Sequence, residues 1–346
     1  MTTVEPTAEQ AAAAEAFAAG EHLVIQAGAG TGKTTTLALL AHATKRRGRY
    51  LAFNRAIAQA AAQAFPRTVV CKTAHALAYA AIGHRYTARL NAPRIPSWRT
   101  GMELGIRHSI TLGGRDLSPR ALSAVVLRTV ERFCHSADPV LDACHVPRLR
   151  GLDTDELHAE LADLVLPYAG KAWADLQHPE QGVVRFDHDH YLKMWALSQP
   201  KIAADFLLLD EAQDTNPVLE EVFLAQRGHA QLVMVGDSAQ AIYGWRGAKD
   251  VMTGFDGTPL TLSRSFRFGS AIAQEANRWL AIAQAPIRLT GTEAIPSAVG
   301  EVPEPAAVLC RTNVGAMVGI TKHLDDGQGG FKFRNRVDHR AARGRG

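Results

Sequence analysis

Two short stretches of this 346-residue chain carry residue types and spacings suited to gripping a polyphosphate. The first is Ala27-Gly28-Ala29-Gly30-Thr31-Gly32-Lys33-Thr34. Its glycines let backbone N–H groups turn inward on an anion, and a helix starting at the end of the run adds partial positive charge there. Lys33 is long enough to reach the outer phosphates of a nucleoside triphosphate, and the Thr34 hydroxyl is a hard oxygen ligand for magnesium. Ala27 stands where the strict phosphate-loop pattern has glycine. The second stretch is Leu207-Leu208-Leu209-Asp210-Glu211, two carboxylates closing an apolar run. In a parallel sheet the carboxyl ends of the strands form the edge where ligands bind, so Asp210 is expected to face the same ligand as Lys33. The chemistry this pairing predicts is phosphoanhydride hydrolysis. Asp210 and Thr34 hold magnesium, and Glu211 polarises the attacking water.

The elements that must position these groups follow from the apolar pattern. Leu23-Val24-Ile25 reads as a strand entering the glycine-rich turn, and Thr35 to Leu40 as a helix leaving it. Upstream, Thr7 to Ala19 reads as a helix with Thr7 as N-cap, Gln10 as its capping-box partner and Gly20 as the stop. Short strands are expected at 50–53, 68–71, 206–209 and 232–235, with helices to about 64 and from about Thr73. This alternation predicts an α/β protein whose parallel sheet is flanked by helices on both faces. Between 85 and 179 the alternation stops, and periodic apolar positions in 120–133 and 155–169 predict a helical insertion. Residues 1–84 and 180–290 are then expected to form one nucleotide-binding domain. Residues 291–305 read as a linker, followed by a strand at 306–309 and a helix from about Val314, so that 291–326 is the remnant of a second domain. The stretch 327–346 is Gly/Arg-rich without apolar periodicity and is expected to be a disordered basic tail.

Composition sets outer bounds. A hydrophobic content of 47% with 21% charged residues is a globular balance, and the formal net charge is +4. Six basic residues from Lys332 to Arg345, against the single acid Asp338, put about five positive charges in the last fifteen residues. The rest of the chain is therefore near neutral, and any nucleic-acid surface on it must be local. Cys71, Cys134, Cys144 and Cys310 follow no disulfide-framework spacing. Neither the Cys134-His135 and Cys144-His145 pairs nor the run Asp187-His188-Asp189-His190 matches a standard zinc spacing; the latter reads as a solvated strand or loop edge. No apolar run approaches a membrane span and no secretory signal opens the chain, so the expected setting is cytoplasmic, away from membranes.

A third stretch points to a polymer partner. Met234-Val235-Gly236-Asp237-Ser238-Ala239-Gln240 repeats the logic of a strand running into acids, and Gln240 is placed to sense the terminal phosphate. Orienting the attacking water is the other role open to Gln240. The run continues as Ala241-Ile242-Tyr243-Gly244-Trp245-Arg246-Gly247-Ala248, where aromatic and cationic groups interleave as in surfaces that stack on bases. Core packing is the competing reading of Tyr243 and Trp245. Together these stretches resemble the UvrD/Rep-type superfamily 1 DNA helicases, over about residues 5 to 320. Thr7-Ala8-Glu9-Gln10 looks like the Q motif, which would make Gln10 the adenine reader alongside its capping role. Ala27 to Thr34, extended by Thr35, resembles motif I; Ala52-Phe53-Asn54-Arg55 resembles motif Ia and Thr73-Ala74-His75 motif Ib. Asp210-Glu211-Ala212-Gln213-Asp214 resembles motif II, residues 234–248 motif III, and Ser265-Phe266-Arg267 motif IV, whose arginine touches the γ-phosphate. Leu309-Cys310-Arg311-Thr312-Asn313 and the segment Phe186 to Trp195 are similar to the branch that includes the F-box DNA helicases.

The resemblance implies a RecA-like P-loop NTPase that uses ATP and magnesium to move 3′ to 5′ on single-stranded DNA, or on duplex carrying a 3′ single-stranded tail. By the same resemblance Phe53, Asn54, Thr73, His75, Tyr243 and Trp245 line the DNA track. Motifs V and VI of the family are not found in the residues after 290, so the chain is expected to be a truncated form. Two rival readings follow: a nonenzymatic module that binds ATP and single-stranded DNA without stepping, and a P-loop enzyme of another kind such as a nucleotide kinase. The aromatic run at 241–248 argues against the second.

Overall fold

The computed structural model describes residues 5–93, 95–240, 252–302, 307–310 and 312–325. Two units are distinguished, Met1–Ala298 and Val299–Gly346.

In the first unit, strands β1 (Leu23–Ala27), β2 (Gly48–Ala52) and β3 (Val69–Thr73) alternate with helices α1 (Ala8–Ala18), α2 (Lys33–His42), α3 (Arg55–Ala64) and α4 (Ala74–Ala81). There follow α5 (Thr87–Leu90), α6 (Ser97–Glu103), a small antiparallel hairpin β4 (Ile110–Leu112) and β5 (Arg115–Leu117), α7 (Pro119–His135), α8 (Asp155–Leu176) and α9 (His188–Leu197). The alternation resumes with β6 (Phe206–Leu209), α10 (Pro217–Leu224), β7 (Gln231–Gly236), β8 (Thr258–Leu262) and α11 (Ser270–Ile282). The main sheet has the order β3-β2-β6-β7-β1-β8, and every pairing in it is parallel.

Such a sheet must be covered on both faces, which is why β6 and residues 232–235 of β7 read as apolar runs and both strands are buried at every residue. The two-residue period of a strand divides their side chains between two cores. Phe206, Leu208, Val233 and Val235 pack with Phe17 of α1, Leu37 and Leu40 of α2 and Ala58 and Ala61 of α3. Leu207, Leu209, Leu232 and Met234 face the other way, into a core shared with α4 and α7 to α10. All six strands point their carboxyl ends to one edge, where the phosphate loop leaves β1 and the acids leave β6.

Several expectations are revised here. The region 85–179 is mainly helical but includes the β4–β5 hairpin. Strand β8 adds to the expected strands; its Pro259 lacks a donor and is tolerated at the sheet margin, where only β1 pairs with it. Asp187 to His190 is neither strand nor loop edge. Asp187 is the N-cap of α9, accepting from Asp189 N–H at 2.9 Å, with His190 completing a capping box. In the second unit α12 (Asn313–Asp325) forms where a helix was expected, but residues 307–310 form no strand. Among the described residues no helix is long and apolar enough to cross a membrane. The tail beyond 326, and Tyr243 and Trp245, lie outside the described residues.

Candidate nucleotide site

The loop between β1 and α2 is held by its own backbone. Gly32, at φ +81° and ψ 35°, is the N-cap of α2, a left-handed conformation that glycine adopts without strain. The Thr31 hydroxyl donates to the Gly28 carbonyl at 2.9 Å, and Phe266 N–H donates to the Gly30 carbonyl at 2.8 Å. Gly30 also has positive φ, and a Cβ there would come within 2.7 Å of the Arg267 side chain. Arg267 thus lies against the phosphate loop, although 237 positions separate it from Gly30 in sequence. The segment is tied further by Glu9 of α1, whose carboxylate accepts from the Ser263 N–H and hydroxyl at 2.8 and 2.6 Å.

Lys33 and Thr34 open α2 and meet the acids that follow β6. Lys33 Nζ lies 3.4 Å from Glu211 Oε2, and the Thr34 hydroxyl donates to Asp210 Oδ2 at 2.8 Å. Glu211 reaches Lys33 from φ +52°, an uncommon backbone conformation for a side chain of its size. Asp210 is buried and accepts three hydrogen bonds: Glu211 N–H on Oδ1 at 2.9 Å, and the hydroxyls of Thr34 and Tyr50 on Oδ2, the latter at 2.5 Å. Burial, and then the charge of Glu211, push the Asp210 carboxyl above its ordinary range against the pull of these donors. Burial beside Asp210 holds the Tyr50 phenol far above its usual ionisation range, so it acts as a donor.

A third acid completes the group. Asp237, at the end of β7, is buried; its N–H donates to Gln213 Oε1 at 2.9 Å, and its Oδ2 accepts from Gln240 Nε2 at 2.5 Å. Gln213 in turn donates to Glu211 Oε2 at 2.9 Å, linking the acids after β6 to the one after β7. Burial raises the Asp237 carboxyl, while Gln240 and Lys33 pull it down. Three carboxylates thus gather near the Lys33 ammonium, with Arg267 against the adjoining loop. Hard oxygen donors such as the Thr34 hydroxyl and the Asp210 carboxylate are of the type that could hold a divalent cation.

The remaining expected site residues fall into two groups. Gln10 lies behind the loop, with its side chain spent on structure: Oε1 accepts from Thr7 N–H at 3.1 Å and Nε2 donates to Thr36 at 3.0 Å. Thr35 is exposed on the first turn of α2. Ala27 ends β1 fully buried, and Gly28 and Ala29 begin the loop. Phe53 is exposed just past β2, Asn54 caps α3 through Ile57 N–H, and Thr73 caps α4 through Ala76 N–H. Thus Phe53 and Asn54 follow β2, and Thr73 ends β3 with His75 just beyond it, along the same sheet edge as the phosphate loop. His75 is held by Asp189, with Nε2 3.0 Å from Oδ1, and His135 takes the other oxygen at 3.1 Å.

The chain order hid three participants. Tyr50 reads as core because aromatic residues in strands usually are. Gln213 and Asp237 sit inside recognisable stretches, yet their bond to each other spans 24 positions. The Cys144-His145 pair does come near Asp138, with donor atoms within 4.8 Å of one another. His145 Nε2, however, lies 2.9 Å from both Asp138 Oδ2 and Ser136 Oγ, and Nδ1 accepts from Asp142 N–H at 3.0 Å. Both ring nitrogens are thereby committed to closing the 136–145 loop.

A phosphate loop and a strand-end acid pair meeting over a parallel sheet define a P-loop NTPase of RecA-like α/β type. Residues 10–246 match the family described as AAA domain. The chain belongs to that family, and its ATP-binding domain is of the UvrD/Rep-like superfamily 1 helicase type. It is 33% identical over 293 residues to F-box DNA helicase protein 1 of Schizosaccharomyces pombe (strain 972 / ATCC 24843), an alignment covering 79% of this chain and 32% of that protein. It is 32% identical over 272 residues to F-box DNA helicase 1 of Gallus gallus, covering 73% of this chain and 25% of the relative. The chain thus spans about a third or less of the length of these curated relatives.

Proposed function

We propose that this chain is the ATP-hydrolysing part of a DNA helicase or translocase that moves 3′ to 5′ on single-stranded DNA. The observation that carries the reading is the convergence of Lys33 and Thr34 with Asp210 and Glu211 across 176 or more positions of sequence. The identity to two proteins named as DNA helicases supports the choice of polymer. In this reading residues 1–84 and 180–290 form the motor domain, 85–179 an inserted helical domain, and 291–326 the start of a second motor domain.

Each site residue then has a task. The amides of Gly28 to Gly32 and the Lys33 ammonium bind the phosphates with Thr35 at the margin, and Gln10, beside its capping role, reads the adenine. Thr34 and Asp210 would hold magnesium, which when bound would supply positive charge to the polyphosphate. Glu211 orients the attacking water and accepts its proton; its bonds to Lys33 and Gln213 keep the carboxylate aimed. Gln240, bonded to Asp237, reports the terminal phosphate to the 241–248 segment. Arg267, whose guanidinium makes no ion pair among the described residues, neutralises the transferring phosphoryl group. Phe53, Asn54, Thr73, His75, Tyr243 and Trp245 form the DNA track, and a 3′ single-stranded tail is the expected entry point.

The test is phosphate release from magnesium–ATP by the purified chain, with and without a single-stranded oligonucleotide. Stimulation of tenfold or more by the oligonucleotide, abolished in Asp210→Asn, is the expected result. Nucleotide binding without turnover would instead favour a nonenzymatic ATP- and DNA-binding module. Phosphoryl transfer to a small acceptor, indifferent to DNA, would favour a kinase.

A further inference from the structure

Asp210 owes part of its orientation to β2, which supplies no other side chain to the nucleotide site. It follows β6, and its N–H donates to the Leu51 carbonyl of β2 at 3.3 Å, so the acid is docked on β2 one residue beyond the strand pairing. Tyr50, the neighbour of Leu51 on β2, is fully buried and places its hydroxyl 2.5 Å from Asp210 Oδ2. Its ring is fixed by Phe65, with centroids 4.8 Å apart, and packs in the core beneath α3 with Ala58 and Ala61. The ring that carries that hydroxyl is therefore held by the sheet and α3.

The hydrogen bonds around the carboxylate show why this matters. Oδ1 is tied by Glu211 N–H, whereas Oδ2 is tied by Thr34 and Tyr50 together. Thr34 belongs to the loop that wraps the phosphates, and its oxygen is the one expected to turn toward a cation. Once it does, Tyr50 is the side chain left holding Oδ2. Without the phenol the carboxylate would be held through Oδ1 alone, and a metal ligand that loses a supporting partner binds its cation more weakly.

We propose that Tyr50 is the positioning residue of the magnesium site, fixing the Asp210 carboxylate for the cation without touching cation or nucleotide. This deepens the functional reading above and rests on it. Removing the hydroxyl is expected to weaken magnesium binding roughly tenfold or more, the usual cost of losing a partner of a metal ligand, while nucleotide binding without the cation stays unchanged.

The experiment is a magnesium titration of the full chain saturated with N-methylanthraniloyl-ADP, followed by fluorescence, for the natural protein and Tyr50→Phe. A parallel nucleotide titration is run in EDTA. A rise of about tenfold or more in the half-saturating magnesium concentration, with the EDTA affinity within twofold, supports the proposal. An unchanged magnesium midpoint overturns it, as does an equal loss in both titrations, which would make Tyr50 a packing residue. Absence of any magnesium response in the natural protein overturns the functional reading along with it. If Tyr50→Phe does not fold, 3-fluorotyrosine placed at position 50 alone preserves the hydroxyl and gives one fluorine resonance. That resonance should move when magnesium is added to the nucleotide-saturated protein; a resonance that moves with nucleotide and not with magnesium overturns the proposal.

Discussion

Replacing Lys33 by alanine should separate catalysis from folding by a wide margin. The ammonium sits 3.4 Å from Glu211 Oε2, and the two side chains are 12% and 32% exposed. Glu211 keeps the Gln213 amide as a partner when the lysine is lost. The ion pair is partly solvated, so its removal should cost about 1 kcal/mol of stability or less. The effect on hydrolysis is larger, because the charge is aimed at a group that becomes more negative as the reaction proceeds. At a separation of about 4 Å and an effective dielectric constant of about 20, one unit charge contributes about 4 kcal/mol. That corresponds to about a 10³-fold loss of turnover. The assay is steady-state phosphate release at saturating magnesium–ATP with single-stranded DNA present, set beside denaturant unfolding of the same preparation. Turnover within tenfold of the natural protein would refute the assignment. So would a loss of activity that merely tracks unfolding, since the lysine would then be structural.

The other expectations concern parts of the chain that support the site. Asp189 lies between His135 and His75: burial opposes its charge, but the two histidine hydrogen bonds outweigh it and hold the carboxyl well below its usual range. The Asp189 bond in turn raises His135, against its own burial, with Glu131 and Asp187 adding to the rise. The depressed acid contributes stability above pH about 3.8, and the raised histidine contributes fully below pH about 6.5, losing its share as pH climbs through its raised value. Asp189→Asn should therefore cost about 1 kcal/mol at pH 6 and less at pH 9, as measured by urea unfolding at the two values; a cost that grows with pH would contradict the assigned charges. Lys193, buried on α9, donates to the Ser136 and Asp138 carbonyls at 2.8 and 2.6 Å and lies 4.3 Å from the Phe133 ring centre. Lys193→Met should destabilise by about 2 kcal/mol by stranding both carbonyls, and thermal unfolding at the natural midpoint would rule this out. Trp245→Ala should weaken single-strand binding by about 1–3 kcal/mol while leaving ATP affinity intact, checked by fluorescence anisotropy of a labelled oligonucleotide; unaltered anisotropy would remove Trp245 from the track.

What could be read in the chain beforehand depended on how local the signal was. The phosphate loop is contiguous, and the buried runs Phe206–Leu209 and Gln231–Gly236 admit few interpretations besides inner parallel strands. Lys33 and Asp210 could be referred to one edge because a parallel sheet sends all its carboxyl ends the same way. β8 is hard to read because Pro259 weakens its strand signal, and the strand expected at 306–309 is absent over its described residues 307–309 because a short apolar run does not by itself make a strand. The roles of Tyr50 and Asp189 depend on pairings across 160 and 114 positions, which no spacing rule announces. Gln10 illustrates an ambiguity of another kind. One carboxamide serves the capping box of α1 and the Thr36 hydroxyl at once, so the residue type alone could not tell a structural tie from a base reader.

The account stands on one pocket shared by the loop after β1 and the acids after β6. Its most direct test is a crystal structure with a nonhydrolysable ATP analogue and manganese in place of magnesium, read by anomalous scattering. The manganese peak should fall between Thr34 and Asp210, with the terminal phosphate between Lys33 and Arg267. A peak at Asp138, Cys144 and His145, or a nucleotide seated away from the 27–34 loop, would contradict the account.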